Sequence, residues 1–306
     1  MKTPSTQHKR SPRAGAAESL PSRSGSDQAA RREEMSRQLQ AEVDRRRNRQ
    51  RLARYAGRLA VVVGLIALWS YSSGRLIDEF WVSSPLAVAE RLWQWLTDGT
   101  IWHHFVFTIR AMVLGLIIGT LVGIVVGFLL GMSRFLSDVF EPFILVVYGM
   151  PKIALAPLFI LWFGIGIESK IVLSAVIVFF LVFYNTYAGV HAVDRGLLDV
   201  VSIMGGSRVD RVRHVILPSC AAWIYTGLQL AVPYSLIGAI VGEIIASNRG
   251  LGFLLRRSSG MFDTAGTVSS LIVLAVIGLA FMALVRLSQK WTSSWMRVQP
   301  SVGNAI

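Results

Sequence analysis

Cysteine and histidine are scarce in this sequence. Cys220 is the only cysteine among 306 residues, so the chain cannot form an internal disulfide, and the five histidines do not stand at the spacing of metal ligands. The sequence also has no glycine-rich loop ending in lysine for nucleotide phosphates, and no serine, histidine and aspartate set suited to nucleophilic catalysis. We therefore predict a chain with no metal site and no enzymatic activity of its own.

Charged residues are also few, at 16%, whereas hydrophobic residues make up 53% of the chain. Long uncharged stretches with this composition are typical of an integral membrane protein. Much of the formal charge of +13 lies at the N-terminus, because residues 1–58 hold 15 Lys and Arg residues against 6 acidic residues. Basic residues beside a membrane attract anionic lipid head groups. Since no nucleic-acid motif accompanies them, we predict a lipid bilayer and not a nucleic acid as the partner.

Polar and apolar residues divide the chain into four predicted segments. These are a basic N-terminal tail, a first span with its outer connection, the main transmembrane domain and a C-terminal tail, at 1–58, 59–84, 85–290 and 291–306. The tail is rich in Ser, Pro, Gly and charge over 1–30, which predicts disorder, and has a helix-forming composition over 31–58.

Six apolar stretches are candidates for crossing a membrane, and most have the roughly 20 residues that a helix needs to do so. They lie at about 59–73, 108–131, 140–163, 170–190, 218–245 and 267–287. Pro142, Pro151 and Pro157 interrupt the third stretch. The predicted fold class is an all-α polytopic membrane protein with about six transmembrane helices.

The basic residues predict the orientation of these helices, because cytoplasmic segments carry an excess of Lys and Arg. With the N-terminus in the cytoplasm, the cytoplasmic segments hold 23 Lys and Arg residues, including the tail. The outer segments then hold six, namely Arg75, Arg91, Lys170, Arg249, Arg256 and Arg257. Residues 191–217 are therefore predicted to be cytoplasmic.

Five glycines recur at every fourth position of the second stretch, at Gly115, Gly119, Gly123, Gly127 and Gly131. This spacing places them close to one helical face, where a neighbouring backbone can approach closely. The neighbour is either a helix of the same subunit, which we favour, or a second subunit.

The segment 199–218, DVVSIMGGSRVDRVRHVILP, is a cytoplasmic loop with a regular pattern. Val200, Ile203 and Met204 share one face of a short helix, which Gly205 ends. Ser207 suits the N-cap of a second short helix, with Asp210 as its capping-box partner. We expect the apolar residues of this helix–turn–helix to rest on the spans, and its polar face to bind a soluble partner.

The same segment resembles the conserved cytoplasmic loop of ABC importer permeases, which is summarised as Glu-Ala-Ala, three residues, Gly, nine residues, Ile, one residue, Leu-Pro. The positions that match this motif, together with the cap and arginines beside them, are Asp199, Val200, Val201, Gly205, Ser207, Arg208, Arg211, Leu217 and Pro218. Residues 150–170 and 242–255 resemble the nitrate, sulfonate and taurine branch. The similarity covers about residues 85–290.

The resemblance implies a fold like that of type I ABC importers, with a coupling helix between spans four and five. It also implies three protein partners: a cytoplasmic ATPase that docks on the loop, a solute-binding protein outside, and a second permease copy in a homodimer. The chain itself would need no cofactor, because the ATPase uses the ATP. The expected solute is a small anion such as a sulfonate, taurine or nitrate, with pyrimidine precursors and aromatic acids as alternatives.

Lys152 lies within the third stretch, between Pro151 and Pro157. A charge facing lipid at that depth costs about 3 kcal/mol, so a protein-lined path is a suitable setting, and the prolines free carbonyls that can accept its hydrogen bonds. We predict an anion contact in the translocation path. The alternative is a structural lysine that snorkels or pairs, for example with Glu141.

Glu243 lies near the outer end of the fifth stretch, where a carboxylate is either part of the path or an ordinary interfacial residue. Three arginines, Arg249, Arg256 and Arg257, follow in the last outer loop and either attract anions, contact a docked binding protein or are solvated.

Two other classes of protein remain possible at this point. An ion-coupled secondary carrier would need intramembrane acids and usually has internal repeats, and this sequence offers few of the former and no convincing repeat. A membrane scaffold would have no need of Lys152 or of the prolines around it.

Overall fold

The computed structural model describes residues 23–292. The ends of the chain, 1–22 and 293–306, lie outside the described residues, and with them most of the predicted disordered segment and of the C-terminal tail. The described chain divides into two compact units, one ending at Ala67 and the other beginning at Leu68.

The first helix, α1, is continuous over Arg23–Ser72. Residues 23–30, which belong to the segment with the disorder-promoting composition, are the first part of this helix. The apolar part, Leu52–Ser72, is long enough to cross a membrane. The first predicted span is thus the end of a longer helix.

Eleven further helices follow in the described chain. They are α2 Glu79–Val82, α3 Pro85–Thr97, α4 Thr100–Met132, α5 Arg134–Gly149, α6 Ala156–Phe163, α7 Ile167–His191, α8 Arg195–Ile203, α9 Arg208–Arg211, α10 Leu217–Ile245, α11 Leu251–Gly260 and α12 Thr264–Thr292. A 3₁₀ turn at Lys152–Leu155 precedes α6, and a π-helical turn at Val212–Ile216 joins α9 to α10. No β-strand occurs between residues 23 and 292.

Five described helical segments have the length and composition of membrane spans: Leu52–Ser72, Thr100–Met132, Ile167–His191, Arg208–Ile245 and Thr264–Leu287. A sixth span arises if Phe135–Gly149 and Lys152–Phe163, which meet at an angle of 83°, are counted together. The predicted all-α polytopic fold is confirmed, and the bend lies at Pro151, inside the third predicted span.

The glycine stripe joins α4 to α7 within one subunit. A Cβ atom built on Gly123 would lie 2.9 Å from the Phe179 carbonyl oxygen, and one on Gly131 would lie 2.7 Å from Val190 Cβ. No side chain fits at these separations, so the two backbones touch along the stripe. Residue numbers rise together in both helices, which means that α4 and α7 run parallel.

α10 packs on α7 in the opposite direction, because Gly238 contacts Ser174 whereas Gly227 contacts Asn185. We call the side that contains Met132, His191 and the segment 192–216 the loop face. The other side contains the starts of α4, α7 and α12 together with α11, and we call it the opposite face.

The parallel arrangement of α4 and α7 explains the bent segment between them. The chain leaves α4 at the loop face and enters α7 at the opposite face, so residues 133–166 return across the whole thickness of the bundle. Helices α5 and α6 and the turn between them make this return. A separate buried apolar cluster, which includes Met112, Val232, Ala239 and Leu274, ties α4, α10 and α12 together.

Candidate coupling loop and translocation path

The loop of residues 195–216 has the local structure that its sequence predicts. Helix α8 ends at Ile203, and Gly205 follows with a φ of 79°, in the left-handed region that glycine enters without a Cβ penalty. A complete capping box starts α9: the Ser207 hydroxyl accepts from the Asp210 N–H, and the Asp210 carboxylate accepts from the Ser207 N–H at 2.9 Å. The predicted turn and cap are confirmed.

The second helix of the loop continues into the membrane helix α10. It passes through the π-helical turn Val212–Ile216, which directly precedes Leu217 and Pro218. Pro218 lacks an N–H, and a wide turn in front of it is a common way to accommodate that loss. Arg208 and Arg211 are therefore fixed to the start of a span by one helical segment.

The apolar residues of α8 do not rest on the spans. Ile203 and Met204 are 86% and 81% exposed, and Val200 is 53% exposed, although Val215 in the second half of the loop is buried. The expectation that this stripe packs on the spans is wrong for α8, because the helix projects from the loop face. Asp199 is exposed as well, and Val201 is half-buried under Gly206.

Lys152 lies at the bend between α5 and α6. Its Nζ donates to the carbonyl oxygens of Tyr148 at 2.7 Å and Met150 at 3.3 Å, and it lies 5.1 Å from the centroid of the Phe180 ring. The Tyr148 carbonyl lies three residues before Pro151, where the helix is broken. The described partners of Lys152 are thus carbonyls and aromatic rings, and the alternative pairing with Glu141 is not seen.

Glu243 is completely buried, so it is not the interfacial carboxylate that its sequence position indicates. Its carboxylate accepts from the Thr108 hydroxyl at 2.8 Å and from the Gly252 N–H at 2.8 Å. The Thr108 oxygen also accepts from the Leu251 N–H at 2.9 Å. In this conformation Glu243 ties α11 to α4 and does not line a path.

Lys170 is also fully buried, although its sequence position suggests an outer loop. Its ammonium donates to the carbonyl oxygens of Ile165 at 2.8 Å and Ala246 at 2.5 Å, and to the Ser169 hydroxyl at 3.2 Å. Three acceptors satisfy the three N–H bonds of the ammonium group. Lys170 therefore joins the start of α7 to the end of α10.

Sequence reasoning missed this network because its members are far apart along the chain. Thr108 and Glu243 are separated by 135 positions, and His104, which accepts from the Gly250 N–H at 3.0 Å, is 146 positions from its partner. One local signal is the spacing of His104 and Thr108, which are four positions apart and therefore lie on one face of α4.

The geometry of the loop and the crossing pattern agree with the resemblance noted above. Residues 119–298 match the family described as the binding-protein-dependent transport system inner membrane component. The match covers more than half of the chain. This chain belongs to that family of ABC importer permeases.

Three curated relatives cover most of their own length in the comparison. The riboflavin transport system permease protein RibX of Chloroflexus aurantiacus is 37% identical over 71% of this chain and 81% of its own. The formylaminopyrimidine transport permease protein ThiX of Halalkalibacterium halodurans is 28% identical over 77% and 94%. A putative aliphatic sulfonates transport permease protein, SsuC of Escherichia coli, is 33% identical over 76% and 90%.

The fold is also found in a solved structure. The MetNI methionine ABC transporter in an inward-facing conformation aligns with a TM-score of 0.51 over 67% of this chain and 98% of that chain, at 16% identity. At that identity the likeness concerns the fold alone.

Family membership decides between the classes left open by the sequence. The chain is a multi-pass membrane permease subunit of an ABC importer and a transport component, not an enzyme. Its family implies two kinds of partner, an ATPase and a solute-binding protein. The predicted similarity to the sulfonate branch is confirmed by SsuC, and the secondary carrier and the scaffold are no longer candidates.

Proposed function

We propose that this chain forms half of a homodimeric permease in a bacterial inner membrane, with residues 191–217 and both termini in the cytoplasm. If the bent pair counts as one span, the number of crossings is six, and an even number leaves both termini on the same side. The excess of Lys and Arg in the tail and in the loop favours the cytoplasm for that side.

The exposed apolar face of α8 is the observation that carries the coupling role. An exposed row of Val200, Ile203 and Met204 beside the exposed Arg208 is suited to a partner with an apolar cleft and an acidic rim. In this family the partner is the ATPase. ATP-driven closure of two ATPases draws the two loops together, and because α9 continues into α10, the movement reaches the spans directly.

The solute that we propose is a small organic or inorganic anion, such as a sulfonate, taurine or nitrate, delivered by a solute-binding protein. SsuC, whose name states aliphatic sulfonates, supports this assignment. Lys152 supplies a positive charge at the break of a span, between Pro151 and Pro157, where the Tyr148 and Met150 carbonyl oxygens accept from its ammonium. We assign Lys152 to the path, whereas Glu243, which is buried against Thr108 and Gly252, serves the packing of α4 and α11.

A flat heterocycle is the second candidate for the solute. RibX and ThiX, named for riboflavin and formylaminopyrimidine, are as similar to this chain as SsuC is. An uptake assay that compares radiolabelled riboflavin with a labelled alkanesulfonate in cells expressing the complete transporter separates the two solutes.

The coupling role is tested with Gly205→Val. A β-branched residue at a φ of 79° costs about 1–2 kcal/mol and re-aims the helix that carries Arg208. We expect the variant to reach the membrane at normal levels and to lose its ATPase on co-purification. The matched control is Gly57→Val, because a Cβ at Gly57 meets no atom within 4 Å. Normal co-purification and uptake by Gly205→Val would contradict the role.

The orientation is tested by labelling Ser207→Cys in a Cys220→Ala background. Cys220 is the only cysteine in the sequence, so in this background the introduced thiol is the only one, and position 207 is exposed to a reagent. We expect a membrane-impermeant maleimide to label inverted vesicles and to leave intact cells unlabelled. Labelling of intact cells would place the loop outside and refute the proposed topology.

A further inference from the structure

A cavity of 460 Å³ opens at the opposite face, beside the first turns of α4. Its volume is within the range of roughly 300–1,000 Å³ that is usual for small-molecule sites. Its lining combines two aromatic rings, one imidazole, one valine and two guanidinium groups, from Trp102, Phe107, His103, Val106, Arg110 and Arg249. Five of these residues belong to α4, and Arg249 belongs to the connection between α10 and α11.

Arg110 lies at the edge of the apolar part of α4. It begins a stretch of α4 in which residues 111–132 contain no charged side chain. Its side chain is exposed at the edge of this apolar segment, where a charge needs water, a partner or a ligand. Within residues 23–292, no hydrogen bond or ion pair satisfies the Arg110 guanidinium or that of Arg249.

Two other arginines at the same face are paired. Arg91 forms an ion pair with Asp263 at 2.6 Å, and Arg256 donates to the Ser247 carbonyl oxygen at 2.8 Å. Arg257 at this face also has no described hydrogen bond or ion pair but lies outside the cavity lining, whereas Arg110 and Arg249, which have none either, both line it. Two free guanidinium groups around one cavity make a positive site for an anion.

The buried network described above holds these two arginines in place. Arg249 lies in a tight turn in which the Ser247 hydroxyl donates to the Arg249 carbonyl oxygen at 2.7 Å. The next residue, Gly250, donates its N–H to His104, and Leu251 donates to Thr108, both of which are on α4. The connection that carries Arg249 is therefore bonded to the helix that carries Arg110.

We propose that this cavity binds the anionic group of the transported solute, with Arg110 as its main ligand and Arg249 as the second. Trp102 and Phe107 provide an apolar surface for the rest of a small organic anion. This inference rests on the proposed transport of an anion. It adds a binding site at the face where a solute-binding protein would release its cargo.

A single reporter cysteine tests the charge of the cavity without requiring transport. Val106 is an exposed lining residue, so Val106→Cys in a Cys220→Ala background gives a thiol inside the cavity. Its rates of reaction are measured in intact, full-length permease in nanodiscs with an anionic and a cationic methanethiosulfonate, which carry a sulfonate and a trimethylammonium group respectively. We expect the anionic reagent to react faster.

Arg110→Gln should lower the anionic rate roughly fivefold and raise the cationic rate by about the same factor, because that is the effect of one unit charge at about 4 Å in water; the ratio of the two rates should then fall about 25-fold. Arg110→Lys keeps the charge and should keep most of the ratio. The matched control is Arg257→Gln, which removes the same charge from an exposed position of α11 outside the cavity lining. An unchanged ratio in Arg110→Gln, as expected if Arg110 only reaches toward lipid head groups, would overturn the proposal.

Protection experiments test the class of ligand. Benzenesulfonate should slow labelling of the cysteine, whereas benzenesulfonamide, which is neutral and of the same shape, should not. Equal protection by both compounds would show an apolar site and overturn the role of the arginines. Neither experiment needs an ATPase, a binding protein or uptake, so a failure of the anion site is distinguishable from a failure of the proposed importer function.

Discussion

Gly127→Ala tests the close contact of α4 with α7. A Cβ atom at Gly127 would lie 2.7 Å from the Phe183 carbonyl oxygen, 2.9 Å from Thr186 Cβ and 3.3 Å from the Tyr187 nitrogen. Two of these atoms belong to the α7 backbone and cannot rotate away. One methyl group therefore forces the two helices apart along the whole stripe.

The expected change in the free energy of unfolding of Gly127→Ala follows from two opposing effects. Alanine gains up to about 1 kcal/mol over glycine in a helix interior. Overpacking of a close-packed interface costs about 1–3 kcal/mol, and here the clash is with backbone. We expect a net loss of about 1–2 kcal/mol, which corresponds to a Tm lower by about 2–8 °C for a protein of this size.

The matched control is Gly278→Ala in α12, where the nearest atom to the new Cβ is Leu236 Cδ2 at 3.5 Å, an ordinary contact. This variant has the same change in helix propensity without the clash, so its Tm should equal or exceed that of the parent. The assay is size-exclusion chromatography of detergent-solubilised protein after heating at a series of temperatures. A Tm for Gly127→Ala that equals that of Gly278→Ala would refute the close contact.

Two further predictions concern the buried and the path residues. Thr108→Val removes a hydroxyl that donates to Glu243 and accepts from the Leu251 N–H, so it should destabilise the permease by about 2 kcal/mol. Thr108→Ser keeps both hydrogen bonds and should be close to neutral. Equal melting temperatures of the two variants would contradict the network. Lys152→Met should abolish uptake of the anion while the complex still assembles, and normal uptake by this variant would reduce Lys152 to a structural residue.

Much of the fold could be predicted because membrane spans depend on local composition. A run of about 20 apolar residues is a span whatever it packs against, so five of the six stretches are found as continuous apolar helices. The break at Pro151 follows from the missing N–H of proline. The turn at Gly205 and the Ser207 cap are likewise local, since a left-handed φ and a three-residue hydrogen bond involve neighbours only.

The sequence alone did not decide how the helices pair or which polar residues are buried. The glycine stripe predicts a close neighbour but not that the neighbour is α7, nor that the two helices are parallel. Lys170 and Glu243 have the sequence positions of outer residues, and only the packing of α7, α10 and α11 buries them. Their burial involves partners 76 and 135 positions away along the chain, and hydropathy over a short window carries no information about such partners.

Contacts between distant parts of the chain also decide the exposure of α8 and the formation of the cavity at Arg110. Periodicity predicted the apolar face of α8 correctly, but whether that face packs on the spans depends on how the helix projects from the loop face. Arg110 and Arg249 are 139 positions apart and meet only because Gly250 and Leu251 are bonded to α4. The sequence by itself determined the crossings, the loop and its cap, which arise from interactions between close neighbours. Only the tertiary structure decided which charges are buried, paired or free, because that depends on contacts between distant helices.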